Sequence, residues 1–581
     1  MKRLLALVMG LMLVLSSASL ALASDETLVV GSTTRLSGDF FAGLWSANTA
    51  DNDVRALIHD AATVAWMENS HYGVNQNAIL SFDETDAEKG GKTYTFRIRP
   101  DMQFSDGSAI TAQDYVFSVL LLSSPQLSEL DVQTNRYMHL TGYDQFAGGG
   151  AFTGVRLLAD DAFSLTVQGA ELPYFYDLAM VNVTPYPMAL IAPDCHVQDD
   201  GNGAYIAGDF TAALLQETIL DSENGYLSHP SVVSGAYKLT AYDHETGVAE
   251  FERNEFYMGN YEGQKPSIEK LKFQEVKNDT LIAQIQNGEV DLVNKVSRAP
   301  MIEQGIDAGL SYAGYPRAGF GYLAFACEKE PTSSLALRKA VSMCIDRTAL
   351  CKEAVGKWAR PVYGYYGIGQ WMVAEKSEPL KQLKTYEKDL ESARWQAQKS
   401  GYLGTTLKMA IPAENDIANA LVAQLKGGFE KIGLGLEVTE LPMHELLHYY
   451  YRQTERTYDM FFLASNFDYV FDPYYTFHTD DAYQGISNRS GLKDAKLMKL
   501  ANEMRHVKRG DTKTYLRKWL EFQKYFAQVL PMVPLYSNYY FDFYTDSLKD
   551  YDISEHASWA SAILYAGMEG ISPNQRTMPA K

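Results

Sequence analysis

Cysteine is scarce, with four in 581 residues. That is too few to staple a chain of this size, so packing rather than a disulfide framework must hold it together. Cys344 and Cys351 fall in one helical pattern, where their spacing separates them by roughly 10 Å at 1.5 Å per residue, beyond disulfide reach. Cys195 and Cys327 remain a pair that the sequence allows. Positive charge is in deficit too: 51 Lys and Arg stand against 72 Asp and Glu, for a net charge of −21. With no basic stripe to neutralise phosphates, nucleic acid is excluded as a partner. The negative excess is read first as solubility and second as steering of cationic ligands. After the N-terminal segment no apolar run approaches the roughly 20 residues that a membrane-spanning helix needs. Also missing are a Gly-x-Ser-x-Gly elbow, a phosphate-cradling glycine loop and zinc-knuckle spacing, which removes the common enzyme readings. No internal repeat, low-complexity tract or Pro-rich linker divides the chain.

What is present begins with Lys2 and Arg3, an apolar run from Leu4 to Leu15, and small residues ending Ala21-Leu22-Ala23. This reads as a secretory signal over 1–23, cut after Ala23. No Cys lies near that cut to carry a lipid, so the expected location is periplasmic or extracellular. At roughly 150 residues per domain the length predicts three or four folding units.

Thr93 to Arg99 alternates, with Tyr94, Phe96 and Ile98 on one face, and Ser105-Asp106-Gly107 supplies turn chemistry. Thr111, three residues before Asp114, caps a helix carrying Val116, Val119 and Leu120. Leu337, Ala340, Val341, Cys344 and Ile345 form the apolar stripe of a long helix expected to end near Gly356. Between 407 and 464, strand-like runs (Leu407, Met409, Ile411; Leu436, Val438; 460–463) alternate with helical ones (Ile417, Leu421, Leu425, Phe429). That alternation predicts an α/β lobe.

Six stretches carry a family resemblance: TYTFRIRPDMQFSDGSAITAQDYVFSVL (93–120), SGAYKLTAYD with FERNEFYMG (234–259), PSIEKLKFQEVKNDTLIAQIQNGEVDLV (266–293), LRKAVSMCIDRTAL (337–350), YDMFFLASNFDYVFDP (458–473) and LPMVPLYSNYYFDFYTDSLKDY (530–551). Each resembles a stretch of the extracellular solute-binding proteins of the peptide/nickel ABC importer family, family 5, the group of oligopeptide- and dipeptide-binding proteins. They occur in the family's order across nearly all of the chain. The resemblance implies a two-lobed α/β fold of the large class II type with an additional domain. Mapped here, the first lobe takes 24–55, 185–318 and 533–581, the additional domain takes 56–184, and the second lobe takes 319–532. The hinge is expected near Gly319-Phe320-Gly321 and Pro531 to Pro534. The resemblance further implies a monomer without cofactor, whose partners are a short peptide and an importer permease in the cytoplasmic membrane. Within the family a nickel complex, a sugar or another small solute is the alternative ligand.

In peptide-binding relatives the ligand lies extended and pairs its backbone like an added strand. Two stretches are placed for that role by the resemblance: Ser32-Thr33-Thr34-Arg35 with Phe40, Phe41 and Trp45, and Ala464 to Tyr469, which holds Asn466, Phe467, Asp468 and Tyr469. For Phe40 and Trp45 an ordinary core role competes. Asp468 is the sharpest candidate. In those relatives a carboxylate in an Ala-Asp-Tyr-x-Asp-Pro stretch receives the ligand's α-amino group, and here the run is Phe467-Asp468-Tyr469-Val470-Phe471-Asp472-Pro473, with one extra residue before the second Asp. The alternative for Asp468 is a turn or cap, and Asp472 reads as structural.

A competing motif is His444-Glu445-Leu446-Leu447-His448, an H-E-x-x-H match that on a helix can hold zinc with Glu445 as general base. The longer metallopeptidase form fails at Tyr451 and Thr454. Met443, Leu446, Leu447 and Tyr450 cluster on one helical face, which turns His444 and His448 roughly 110 to 150° away from its centre. Two exposed histidines are therefore expected, and no enzyme.

Overall fold

The computed structural model describes residues 27–568 apart from 47, 68–70, 384, 555 and 557; the signal segment lies outside the described residues. One strand, Met532–Tyr544, belongs to two sheets at once. Its first residues pair with Gly319–Phe325, matching Ala324 to Met532 and Leu323 to Val533. Its last residues pair with Leu292–Val296 on one side and Ser311–Pro316 on the other, matching Val293 to Phe543 and Ala313 to Asp542. The result is a two-lobed α/β fold.

In one lobe Thr27–Ser32 lies between Lys270–Glu275 and Leu292–Val296, parallel to both. Leu28, Val30, Phe251, Phe273 and Trp559 are buried beneath it. In the other lobe Thr406–Pro412 lies between Gly435–Leu441 and Met460–Asn466, again parallel to both, as the alternating pattern predicts. Parallel strands are covered on both faces, and here Leu407, Met409, Leu421, Leu425 and Phe462 share one buried cluster.

Between 79 and 167 a four-stranded antiparallel sheet buries Tyr94, Phe96 and Phe163 against the helix Ala112–Leu121. The expected cap is present: the Asp114 carboxylate accepts from Thr111 N at 2.8 Å and Thr111 Oγ1 at 2.9 Å. The core of this sheet runs on into the second lobe, where the Phe175 ring stacks on Tyr515 at 4.0 Å and 15°.

Two local expectations are corrected. The helix starting at Leu335 ends at Ser342, and Asp346 begins a new one by accepting from Ala349 N at 2.9 Å. An Asp that can satisfy a free amide favours a fresh start over continuation, so Cys344 and Cys351 sit in different elements. All four cysteines are free, Cys195 and Cys327 included. The second crossing between lobes also lies further along than Pro531 to Pro534. Pro534 is still paired with Tyr322, beside a register shift that tolerates its missing N–H. The two crossing segments touch where Arg317 N donates to Asn538 O at 2.9 Å.

Just past the crossing, Asp542 is fully buried. It accepts from Tyr551 Oη at 2.6 Å, Lys295 N at 2.8 Å and Tyr315 Oη at 3.0 Å. Burial pushes its pKa up to about 6 despite those donors. A carboxyl raised on folding contributes stability that is present below its unfolded pKa and lost as pH rises through the folded one. Relative to Asp542→Asn, wild type should therefore lose on the order of 3 kcal/mol between pH 4 and pH 7. Urea unfolding of both proteins across that range checks it, and a pH-independent difference contradicts it.

Candidate functional site

The two predicted segments lie on opposite sides of the crossing. Ser32 ends its strand buried, and beside it Asn294 Nδ2 donates to Gly31 O at 3.2 Å. Thr33, Thr34 and Arg35 follow exposed. Arg35 is engaged elsewhere, donating to His244 O at 2.8 Å and to Glu245 O. Phe40 and Phe41 are both fully buried, Phe40 against Tyr242 at 4.8 Å and Phe41 against Tyr186 at 4.6 Å. Trp45 is half-buried against that core, its N–H donating to Asp39 Oδ2 at 2.9 Å.

On the other side Asn466 pairs with Gly319, and Phe467 N donates to Ala318 O at 2.7 Å. The Phe467 ring stacks on Phe320 at 5.5 Å and 5°. Arg317 clamps this corner, donating from Nε to Asn466 Oδ1 at 2.6 Å and from Nη1 to Asn538 Oδ1 at 3.4 Å over the Tyr540 ring. Tyr469 stacks on Trp66 at 4.4 Å and 12°, and Tyr72 meets Trp66 edge-on at 5.1 Å. Both rings come from the hairpin Val64–Met67 and His71–Val74. Nothing in the local sequence marks Trp66 or Arg317, because Tyr469, Asn466 and Asn538 lie far from them in the chain.

Asp468 sits between these groups, and among the described residues none donates to its carboxylate or pairs with it. The side chain is exposed to solvent, and partial desolvation by the surrounding protein raises its pKa. The Tyr72 hydroxyl is raised as well, first by burial and then by the Asp468 charge. Asp472 is committed instead: it accepts from Tyr174 Oη at 3.1 Å and Tyr474 N at 3.1 Å and pairs with Arg505 Nε at 3.0 Å. Of the two carboxylates in this stretch, Asp468 is the one open to a ligand.

The bridging strand sets the span of the site. Lys295, next to Asn294, anchors on Asp542, and Arg317 anchors on Asn538. From Asn538 to Asp542 is roughly 13 Å at the rise of an extended strand.

His444 and His448 are exposed on the helix Met443–Tyr450, which buries Leu446 and Tyr450. Their rings lie 6.5 Å apart, and among the described residues no third His, Cys, Asp or Glu completes a metal-holding group with them.

Residues 74–488, more than half of the chain, match the model of the bacterial extracellular solute-binding proteins, family 5 Middle. The oligopeptide-binding protein OppA of Bacillus subtilis is 23% identical over 82% of this chain and 81% of its own length. The periplasmic oligopeptide-binding protein OppA of Escherichia coli is 23% identical over 49% of this chain. The match spans about half of that relative's length, 47%. Among solved structures, AppA of Bacillus subtilis in complex with a nonapeptide superposes with a TM-score of 0.69 at 16% identity, covering 93% of this chain and 98% of that one. NikZ of Campylobacter jejuni in complex with Ni(L-His) gives 0.70 at 14% identity, covering 93% and 99%. At such identities the superpositions establish the fold.

The stack of Trp66 on Tyr469 should hold the hairpin over Asp468. A double-mutant cycle of Trp66→Ala and Tyr469→Ala, read by urea unfolding, should return a coupling of about 0.5–1.5 kcal/mol. Strictly additive losses would show that the two rings do not support each other.

Proposed function

We propose that this chain, which belongs to the bacterial extracellular solute-binding proteins of family 5, captures short peptides between its two lobes and delivers them to an ABC importer permease in the cytoplasmic membrane. The observation that carries the reading is Asp468, a solvent-exposed carboxylate with no donor or cation of its own among the described residues. Once closure around a ligand removes that solvent, an unpaired carboxylate is costly, and a ligand ammonium relieves the cost. The neighbouring strand ends at Ser32 and Asn466 offer an extended chain backbone partners, so that affinity comes from main-chain hydrogen bonds. The names of the OppA relatives and the nonapeptide in AppA support a peptide ligand.

In this reading the protein acts after export, as a monomer, outside the cytoplasm. Lobe I comprises 24–55, 185–318 and 533–581, the additional domain 56–184 and lobe II 319–532. Closure is favoured only by a ligand that touches both lobes. Binding and release break no bond, so the protein is a carrier and not an enzyme.

Removing one partner of a largely desolvated pair costs on the order of 3 to 5 kcal/mol. Asp468→Ala should therefore weaken a free-amine peptide by at least about a hundredfold. Acetylating the peptide should hurt wild type equally and add little in the variant. Because burial raises the Asp468 pKa and only the carboxylate receives an ammonium, wild-type affinity should fall as pH drops through that pKa, while Asp468→Asn stays flat. Calorimetry on the four combinations and across pH reads both effects. Additive losses would show that Asp468 and the amine do not meet, and undiminished binding of the acetylated peptide would shift weight to a non-peptide solute.

A further inference from the structure

A cavity of about 230 Å³ lies against the loop that carries Asp468, lined by Met138, His139, Glu171, Met180, Val470 and Arg505 among others. It far exceeds the roughly 10–15 Å³ that one bound water needs. Val470 and Asp472 belong to the loop that carries Asp468, so the cavity adjoins the place proposed for a ligand's amine.

Its charges are not balanced. Arg505 is almost wholly buried, 6% exposed, and pairs with Glu171 Oε2 at 3.0 Å and with Asp472 Oδ2 at 3.0 Å. Its guanidinium also lies over the rings of Tyr174, Tyr474 and Tyr475 at 5.2, 5.0 and 5.3 Å. Burial alone would lower the Arg505 pKa, but the Asp472 and Glu171 charges outweigh it and hold the cation charged. His139 hydrogen-bonds Met180 O at 2.5 Å, and burial pushes its pKa down to about 4, so it stays neutral. Two carboxylates face one cation, and among the described residues the second oxygen of Glu171 takes no donor. An anion entering here would meet an arginine already paired with two carboxylates. A cation would meet a net negative charge, with Met138, Met180 and Val470 to receive an aliphatic stem.

We infer that this cavity is a pocket for an alkyl-ammonium group, filled by a basic side chain near the amino end of the bound peptide. The inference deepens the peptide reading and rests on it for the source of the cation, although the pocket's chemistry can be tested without a peptide.

Tripeptides with lysine at each position in turn are compared with their norleucine counterparts by calorimetry, on wild type and on Glu171→Gln. Cadaverine, a free alkyl-ammonium, is titrated into the same two proteins. At one position lysine should be preferred over norleucine by at least about tenfold in wild type, and within about threefold in Glu171→Gln. Unchanged affinity of the norleucine peptide certifies that the variant is folded; should it fail to fold, the wild-type comparison decides alone. Cadaverine binding that Glu171→Gln loses, without binding of any peptide, keeps the pocket and removes the peptide reading. Peptides that bind with no lysine preference at any position, with no cadaverine binding, overturn the pocket and leave the peptide reading in place. Failure of every probe overturns both.

Discussion

The structure depends on the division of one strand's backbone hydrogen bonds between two sheets. Met532–Tyr544 cannot leave either lobe without exposing donors and acceptors that its neighbours satisfy. Around Asn538 its ladder partners change from one lobe to the other, and there the second crossing segment meets it through Arg317 and Asn538. The lobes are thus tied at a narrow place, and any group presented there by either lobe is presented to the other. Ser32 on one side and Asn466 to Asp468 on the other occupy that position.

Charge placement at the junction follows the cost of burial. Asp472 and Glu171 both pair with the buried Arg505, which leaves one negative charge in excess. Asp542 is buried with three donors and still titrates high. Asp468, by contrast, is exposed and has solvent for a partner, which leaves its carboxylate open to a cation. The overall charge of −21 acts in the same direction at long range.

Much of this was legible in the sequence because it is local. Alternation at Tyr94, Phe96 and Ile98, the Thr111–Asp114 cap, the strands and helices of 407–464 and the outward turn of His444 and His448 depend on neighbours a few residues away. The helix expected to reach Gly356 was overestimated because its apolar stripe continues through Ile345 while the Asp346 cap interrupts the backbone. Phe40 and Phe41 follow Ser32 closely along the chain, and the burial of their rings beside Tyr242 and Tyr186 could not be read from that closeness. Trp66, Tyr72, Arg317 and Arg505 were not legible at all. Their roles come from contacts between segments that topology alone brings together, and a lone aromatic or arginine in its own stretch carries no sign of them.

In the proposed function the two lobes enclose a short peptide whose free amine meets Asp468. The protein purified from its native host without refolding should carry such a ligand with it, and mass spectrometry of what denaturation releases identifies it directly. Short peptides with unmodified amino termini are the predicted result. A metal chelate, a sugar or another solute without a free amine, recovered in stoichiometric amount, would contradict it.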